Sequence, residues 1–235
     1  MDEKNVITSL AITPMTLGFD NSISLEIAER YPSRFLPIVR IDLNSANYLE
    51  SFRDLCGQGA KGLRINLHHL DSANFLLDER FSKLWLFLES SQLPLFVHCE
   101  ASQFHFISSI SSQHQKIKII IDHTGRITSD DGIHSTKFMD LLNLSQLPNV
   151  YIKVSSTNFF ANVPDTHSDM SDLVAAILRE FTADRILWGS DWPFSENDGT
   201  YASSFEPFLS MKLENREEIL KKVFSDNFKE IFQCI

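Results

Sequence analysis

Three side chains able to do acid-base or metal chemistry occupy matching places in this chain of 235 residues. His98 ends the apolar run beginning at Leu95, His123 closely follows the run Ile119 to Ile121, and Asp191 lies just beyond Ile186-Leu187-Trp188. Short apolar runs of this kind suit buried strands, so each chemical group sits at a strand's C-terminal end. Two imidazoles and one carboxylate could hold a zinc or manganese ion with water in the open position. Asp191 could equally act as a general base on water while the histidines stabilise developing charge. Arg64, inside a barrel, would need an anionic partner, whether a substrate or a protein carboxylate, and Arg126 after Gly125 reads by itself as a loop residue. The protein partner would be Glu100 or Asp122 in an ion pair, because a buried guanidinium needs an anion. Glu100 shares a strand side with His98 and could orient it. Lys153 is expected at the surface if its strand is out of phase by one residue. His68, His69, His105, His114, His134 and His167 read as ordinary surface or packing residues.

Seven apolar runs alternate with segments of helical periodicity, which implies βα units around a parallel sheet. The runs are Val6 to Ile12, Phe35 to Leu43, Lys61 to Leu67, Leu95 to His98, Ile117 to His123, Val150 to Ser155 and Ile186 to Trp188. Arg64 and Asn66 are two apart and share one strand face, which predicts a polar pocket on that side. Between the runs, Asp20-Asn21-Ser22 offers a helix cap before Ile23, Ile27 and Tyr31, and Ser45 offers one before Leu49, Phe52 and Leu55. Leu173, Val174, Ile177, Leu178 and Phe181 form a wide helical stripe. Ser225-Asp226-Asn227 marks a break in the last helix. The expected fold is α/β, a (β/α)₈ or TIM barrel with catalytic groups at the strand C-termini. A doubly wound sheet would show a Gly-rich phosphate turn, and none is present.

The chain is long enough for one domain spanning residues 1–235. Its charge of 21 − 31 = −10 disfavours nucleic acid and anionic membranes, which reward Lys and Arg clusters. Its three cysteines follow no metal-finger or disulfide spacing, and no secretory or membrane-spanning segment is evident, so a soluble cytoplasmic protein is expected. Gly189-Ser190-Asp191 lacks the elbow of a serine hydrolase.

Taken together, Gly62-Leu-Arg64-Ile-Asn66, Val97-His98, Ile121-Asp122-His123-Thr-Gly125-Arg126, Val150-Tyr-Ile-Lys153-Val-Ser155 and Trp188-Gly-Ser-Asp191-Trp-Pro193 resemble the amidohydrolase-related family of TIM-barrel hydrolases. The resemblance extends to the tail, Ser225 to Phe232, and points to the branch containing 2-pyrone-4,6-dicarboxylate hydrolase and sugar lactonases. It implies His98 and His123 as metal ligands of the fifth and sixth barrel strands. Asp191 would be the eighth-strand carboxylate, acting as ligand, base or both. Arg64 and Arg126 match positions that hold substrate carboxylates, although His68, His69 and Leu70 stand where that branch has a further arginine.

The family begins with a strand bearing an Asp-x-His-x-His motif, and no His-x-His pair occurs here. The resemblance aligns Met1 to Asn5 with the end of the helix after that strand. The expectation is a barrel without its first strand and most of its first helix, with upstream codons encoding them. The expected function is metal-dependent opening of a lactone, or a related cyclic ester or amide, in a small carboxylate-bearing molecule. The alternatives are a weakly active or non-catalytic remnant with a partial pocket, open to dimerisation along exposed strand edges, and a decarboxylase. The cofactor would be a divalent metal, or none where the incomplete site does not bind it.

Overall fold

The computed structural model describes residues 1–68, 70, 73–161, 168–197 and 200–233. His69 and His167 lie outside the described residues. Seven strands form, each from one of the apolar runs: β1 Ser9–Ile12, β2 Phe35–Ile38, β3 Leu63–Asn66, β4 Leu95–His98, β5 Ile119–Ile121, β6 Val150–Val154 and β7 Ile186–Trp188. The helices are α1 Ser22–Arg30, α2 Tyr48–Gly57, α3 Ser82–Ser91, α4 Phe104–Gln113, α5 Thr136–Asn143, α6 Thr157–Phe160, α7 Ser168–Phe181, α8 Glu206–Leu209, α9 Arg216–Lys221 and α10 Asn227–Phe232.

All strand pairs are parallel and follow chain order. β1 pairs with β2 in one ladder, β3 through β7 form a second, and a single bridge from Val39 to Leu63 joins them. Among the described residues, no strand pairs with the remaining edge of β1 or of β7. Parallel strands need long crossovers, and helices on these crossovers cover the outer face of the sheet.

Strand alternation then divides the apolar residues between two cores. Outward side chains such as Leu63, Ile65, Val97, Ile119, Ile121 and Ile152 pack against Phe52, Phe81, Leu84, Leu88, Ile107 and the α7 stripe. Inward side chains Ile38, Phe96, Ile120, Tyr151 and Leu187 form a smaller cluster, which α10 covers through Ile231, Phe228 and Phe232. Asn227 fastens that helix by donating from Nδ2 to the carbonyls of Ala183 and Ile186, at 2.6 and 2.7 Å. The barrel interior is therefore apolar at one end, which leaves its C-terminal end for polar groups.

The first helix departs from expectation. Ile23 and Tyr31 are 60% and 45% exposed, so the Ile23-Ile27-Tyr31 stripe faces outward while Ser24 is buried. At the start of α1 the cap comes from Asp20, whose Oδ1 accepts the Ser22 amide at 3.0 Å, while the side chain of Asn21 makes no cap bond. Asn21 Oδ1 accepts from the Arg40 amide and its Nδ2 donates to the Arg40 carbonyl, both at 2.8 Å, joining the start of α1 to the end of β2. The residues nearest the second cap also differ: α2 follows Asn47, with Ser45 Oγ accepting the Asn47 amide.

After β5, the chain turns sharply through Asp122–Arg126, with His123, Thr124 and Gly125 in left-handed conformations. This turn is what aims His123 back over the barrel. Gly125 has φ +63°, and a Cβ there would lie 2.6 Å from Cζ of the buried Phe104. Gly125→Ala is thus expected to lower stability by about 2 to 4 kcal/mol, combining left-handed strain with overpacking. Urea denaturation checks this, and an unchanged midpoint would contradict it.

Candidate functional site

The site is built upward from a buried carboxylate. Asp122 is fully buried, with Lys153 Nζ at 2.6 Å from Oδ1 and Arg64 Nε at 2.8 Å from Oδ2. Burial pushes its carboxyl up, but Lys153, Arg64 and their hydrogen bonds prevail and hold it well below the usual carboxylate range. Arg64 therefore has the ion pair that was one of its two sequence readings. Lys153 is buried rather than exposed, because Tyr151 and Lys153 point inward on β6, a phase that Ser155 just past its end continues. Gly189, just past β7, makes room for it: a Cβ there would sit 3.3 Å from Lys153 Cδ.

Arg64 has a second contact set. Its Nη2 lies 3.4 Å from His98 Nδ1 and 3.3 Å from His123 Nε2. The two imidazoles stand edge to face with centroids 4.8 Å apart. Burial, then the neighbouring His123 and Arg64, hold His98 far below the usual histidine range. Burial and then Lys153 bring His123 down to about 4. Both rings are neutral at neutral pH.

Asp191 joins them from the loop after β7. Its Oδ1 is 4.0 Å from His123 Nε2, and its Oδ2 accepts the Ser156 hydroxyl. Arg126 reaches in from the turn after β5, with Nη1 at 3.5 Å from His98 Nε2 and Nε at 3.8 Å from Glu100. Its guanidinium also lies over the Phe160 ring at 5.6 Å. All five expected residues, Arg64, His98, His123, Arg126 and Asp191, thus gather in one place.

Several neighbours differ from expectation. Glu100 does not orient His98; it pairs with Arg126 and closes a capping box with Gln103 before α4. Asn66 takes that place, with Nδ2 at 3.1 Å from His98 Nδ1. His68 is not a bystander, since its ring stacks on His98 at 3.9 Å. Ser155 and Ser156 each place Oγ 2.9 Å from His123 Nδ1. The period-two phase of β6 was the available signal for Ser155; Ser156 lies past the strand, where alternation gives none. His105 and His114 serve local bonds, to Asn74 and Glu89, and His134 is exposed.

The donor set does not fit a metal ion. Among the described residues, no three His, Cys, Asp or Glu side chains are grouped to hold one. Guanidinium nitrogens face both ring nitrogens of His98, and Arg64 also faces His123 Nε2. A guanidinium donates and cannot ligate, and its charge repels a dication. What the arrangement offers instead is a carboxylate and a neutral imidazole facing one another, ringed by cations.

The family profile described as Amidohydrolase matches residues 7–233. Over 231 residues the chain is 26% identical to 4-sulfomuconolactone hydrolase of Hydrogenophaga intermedia, covering 95% of this chain and 73% of that protein. The crystal structure of a probable 2-pyrone-4,6-dicarboxylic acid hydrolase from Acinetobacter baumannii, with citric acid bound, superposes with a TM-score of 0.81. It is 22% identical, and the match covers 99% of this chain and 85% of that one. An amidohydrolase from Burkholderia multivorans with bound zinc gives a TM-score of 0.82 at 18% identity, again over 99% and 85%. The fold is that of the TIM-barrel amidohydrolases.

Two outcomes follow for the metal-free protein. Asp122→Asn strands two buried cations and is expected to lower stability by about 3 to 5 kcal/mol in urea denaturation, whereas near-native stability would contradict the buried triad. Neutral burial of His98 and His123 also sets an acid limit. Unfolded histidines take up protons below about pH 6.5 while the folded ones resist, so stability falls as pH drops from there toward about 4. Melting temperatures across that range check the slope, and His123→Gln should reduce it while leaving the share due to His98.

Proposed function

Taking as premise that the chain belongs to the amidohydrolase family, we propose that it hydrolyses a lactone or related cyclic ester in a small carboxylate-bearing molecule. The observation carrying this reading is the 4.0 Å approach of Asp191 Oδ1 to His123 Nε2, set among the guanidiniums of Arg64 and Arg126. The muconolactone relative supports a lactone as the bond attacked, and the pyrone dicarboxylate and bound citrate of the structural relative support an anionic substrate.

In this reading a water sits within hydrogen-bonding reach of Asp191 Oδ1 and attacks the lactone carbonyl. Asp191 takes the water proton as the oxygen–carbon bond forms. Charge then gathers on the carbonyl oxygen, where the Arg64 Nη2 group stabilises it. Collapse breaks the ring carbon–oxygen bond, and the proton on Asp191 passes to the departing alkoxide. Arg126 holds a carboxylate substituent, for which a planar guanidinium is well shaped. His123, neutral and fixed by its neighbours, turns its Nε2 lone pair toward Arg64 Nη2 and so helps hold that guanidinium beside the reacting carbonyl. Because the donor set does not fit a metal, no step is assigned to one.

Asp191→Asn tests the assignment, since it preserves size and removes the base. On a substrate found from a lactone and cyclic-ester panel, kcat is expected to fall by about 10² or more with the fold intact by circular dichroism. Equal turnover by the variant would refute Asp191 as the base.

A further inference from the structure

Ser156 lies just past β6, with φ +55° and ψ 26°, buried and left-handed. L-residues other than glycine rarely adopt this conformation, and such strain concentrates where a side chain must be held in one place. Its hydroxyl touches two members of the site: Oγ lies 2.9 Å from His123 Nδ1 and donates to Asp191 Oδ2.

Proton counting makes this bridge directional. An ionised carboxylate only accepts, so the single hydroxyl hydrogen of Ser156 is committed to Asp191. Toward His123 the same oxygen can then only accept, which requires the imidazole proton on Nδ1. The opposite ring edge agrees independently. Nε2 faces Arg64 Nη2 at 3.3 Å, a donor without lone pairs, and so must present its own lone pair. Ser155 Oγ, also 2.9 Å from Nδ1, is compatible because its hydrogen is free to turn away.

We infer that Ser156 is a positioning residue: its hydroxyl ties His123 to Asp191, holding the imidazole with its proton on Nδ1 and the carboxylate with Oδ1 toward the reacting water. His123 at φ +53° and Asp191 at φ +54° share the left-handed backbone of Ser156, so all three partners sit on backbone that few non-glycine residues adopt. The kinetic consequence rests on the hydrolase reading above, whereas the tautomer does not.

Two measurements on the 235-residue protein test this. In ¹⁵N-histidine NMR spectra recorded at neutral pH with chelator present, His123 should appear as the Nδ1-protonated tautomer, assigned by its loss in His123→Gln. An Nε2-protonated His123 would overturn the proposal, and this readout needs no substrate. The second uses Ser156→Gly, chosen because glycine accepts the left-handed backbone without strain, with retention of the fold checked by circular dichroism. On a lactone substrate, kcat should fall by about 10- to 100-fold with KM little changed, the size expected when a reacting group is displaced slightly. Native kcat in Ser156→Gly, or a rise in KM alone, would also overturn it. A protein without lactone turnover would undo the hydrolase reading, and the tautomer would still decide for or against Ser156.

Discussion

A single buried carboxylate lets this barrel carry cations in its interior. Asp122 accepts from Lys153 and Arg64 on different oxygens, and neither cation could stay buried without it. Such a group is weak grounds for net stability, because desolvating three charges offsets much of their attraction. Its effect is on placement. With Nε committed to Asp122, Arg64 has its Nη2 directed at both His98 and His123, and those rings stay neutral in consequence of burial and the charges around them.

The barrel interior is thus layered along its axis. Ile38, Phe96, Ile120, Tyr151 and Leu187 close one end beneath α10. Arg64, Asp122 and Lys153 form an ionic layer above them, and Lys153 Nζ lies 6.0 Å from the Phe96 ring centroid where the two layers meet. Beyond the strands come His123, Ser156 and Asp191, all on left-handed backbone. Regular strands supply rigidity, and the irregular turns that follow supply direction. That division is the usual way a parallel barrel separates folding from chemistry.

Much of this was legible in the residues. The seven apolar runs each produced a strand, the Leu173 to Phe181 stripe is buried apart from a half-buried Leu178, and the three groups at strand ends do converge. Alternation placed Arg64 and Asn66 together on the inner face. It also implied that Lys153 and Ser155 share a side, although the phase of β6 was not certain from its composition. Ile23, Ile27 and Tyr31 misled because helical spacing alone does not say which face meets the sheet, and Ser24 is buried instead. Ser156, the stacking of His68 on His98 and the conflict between guanidiniums and a metal ion depend on tertiary directions that spacing cannot encode.

The claim on which the rest turns is that Asp191 delivers water to a lactone carbonyl without a metal ion. Turnover of a lactone by the chelator-treated 235-residue protein in H₂¹⁸O measures it directly. Mass spectrometry should find one ¹⁸O in the newly formed carboxylate, at a rate that added zinc does not raise. Loss of turnover on chelation, with recovery on adding zinc or manganese, would contradict it.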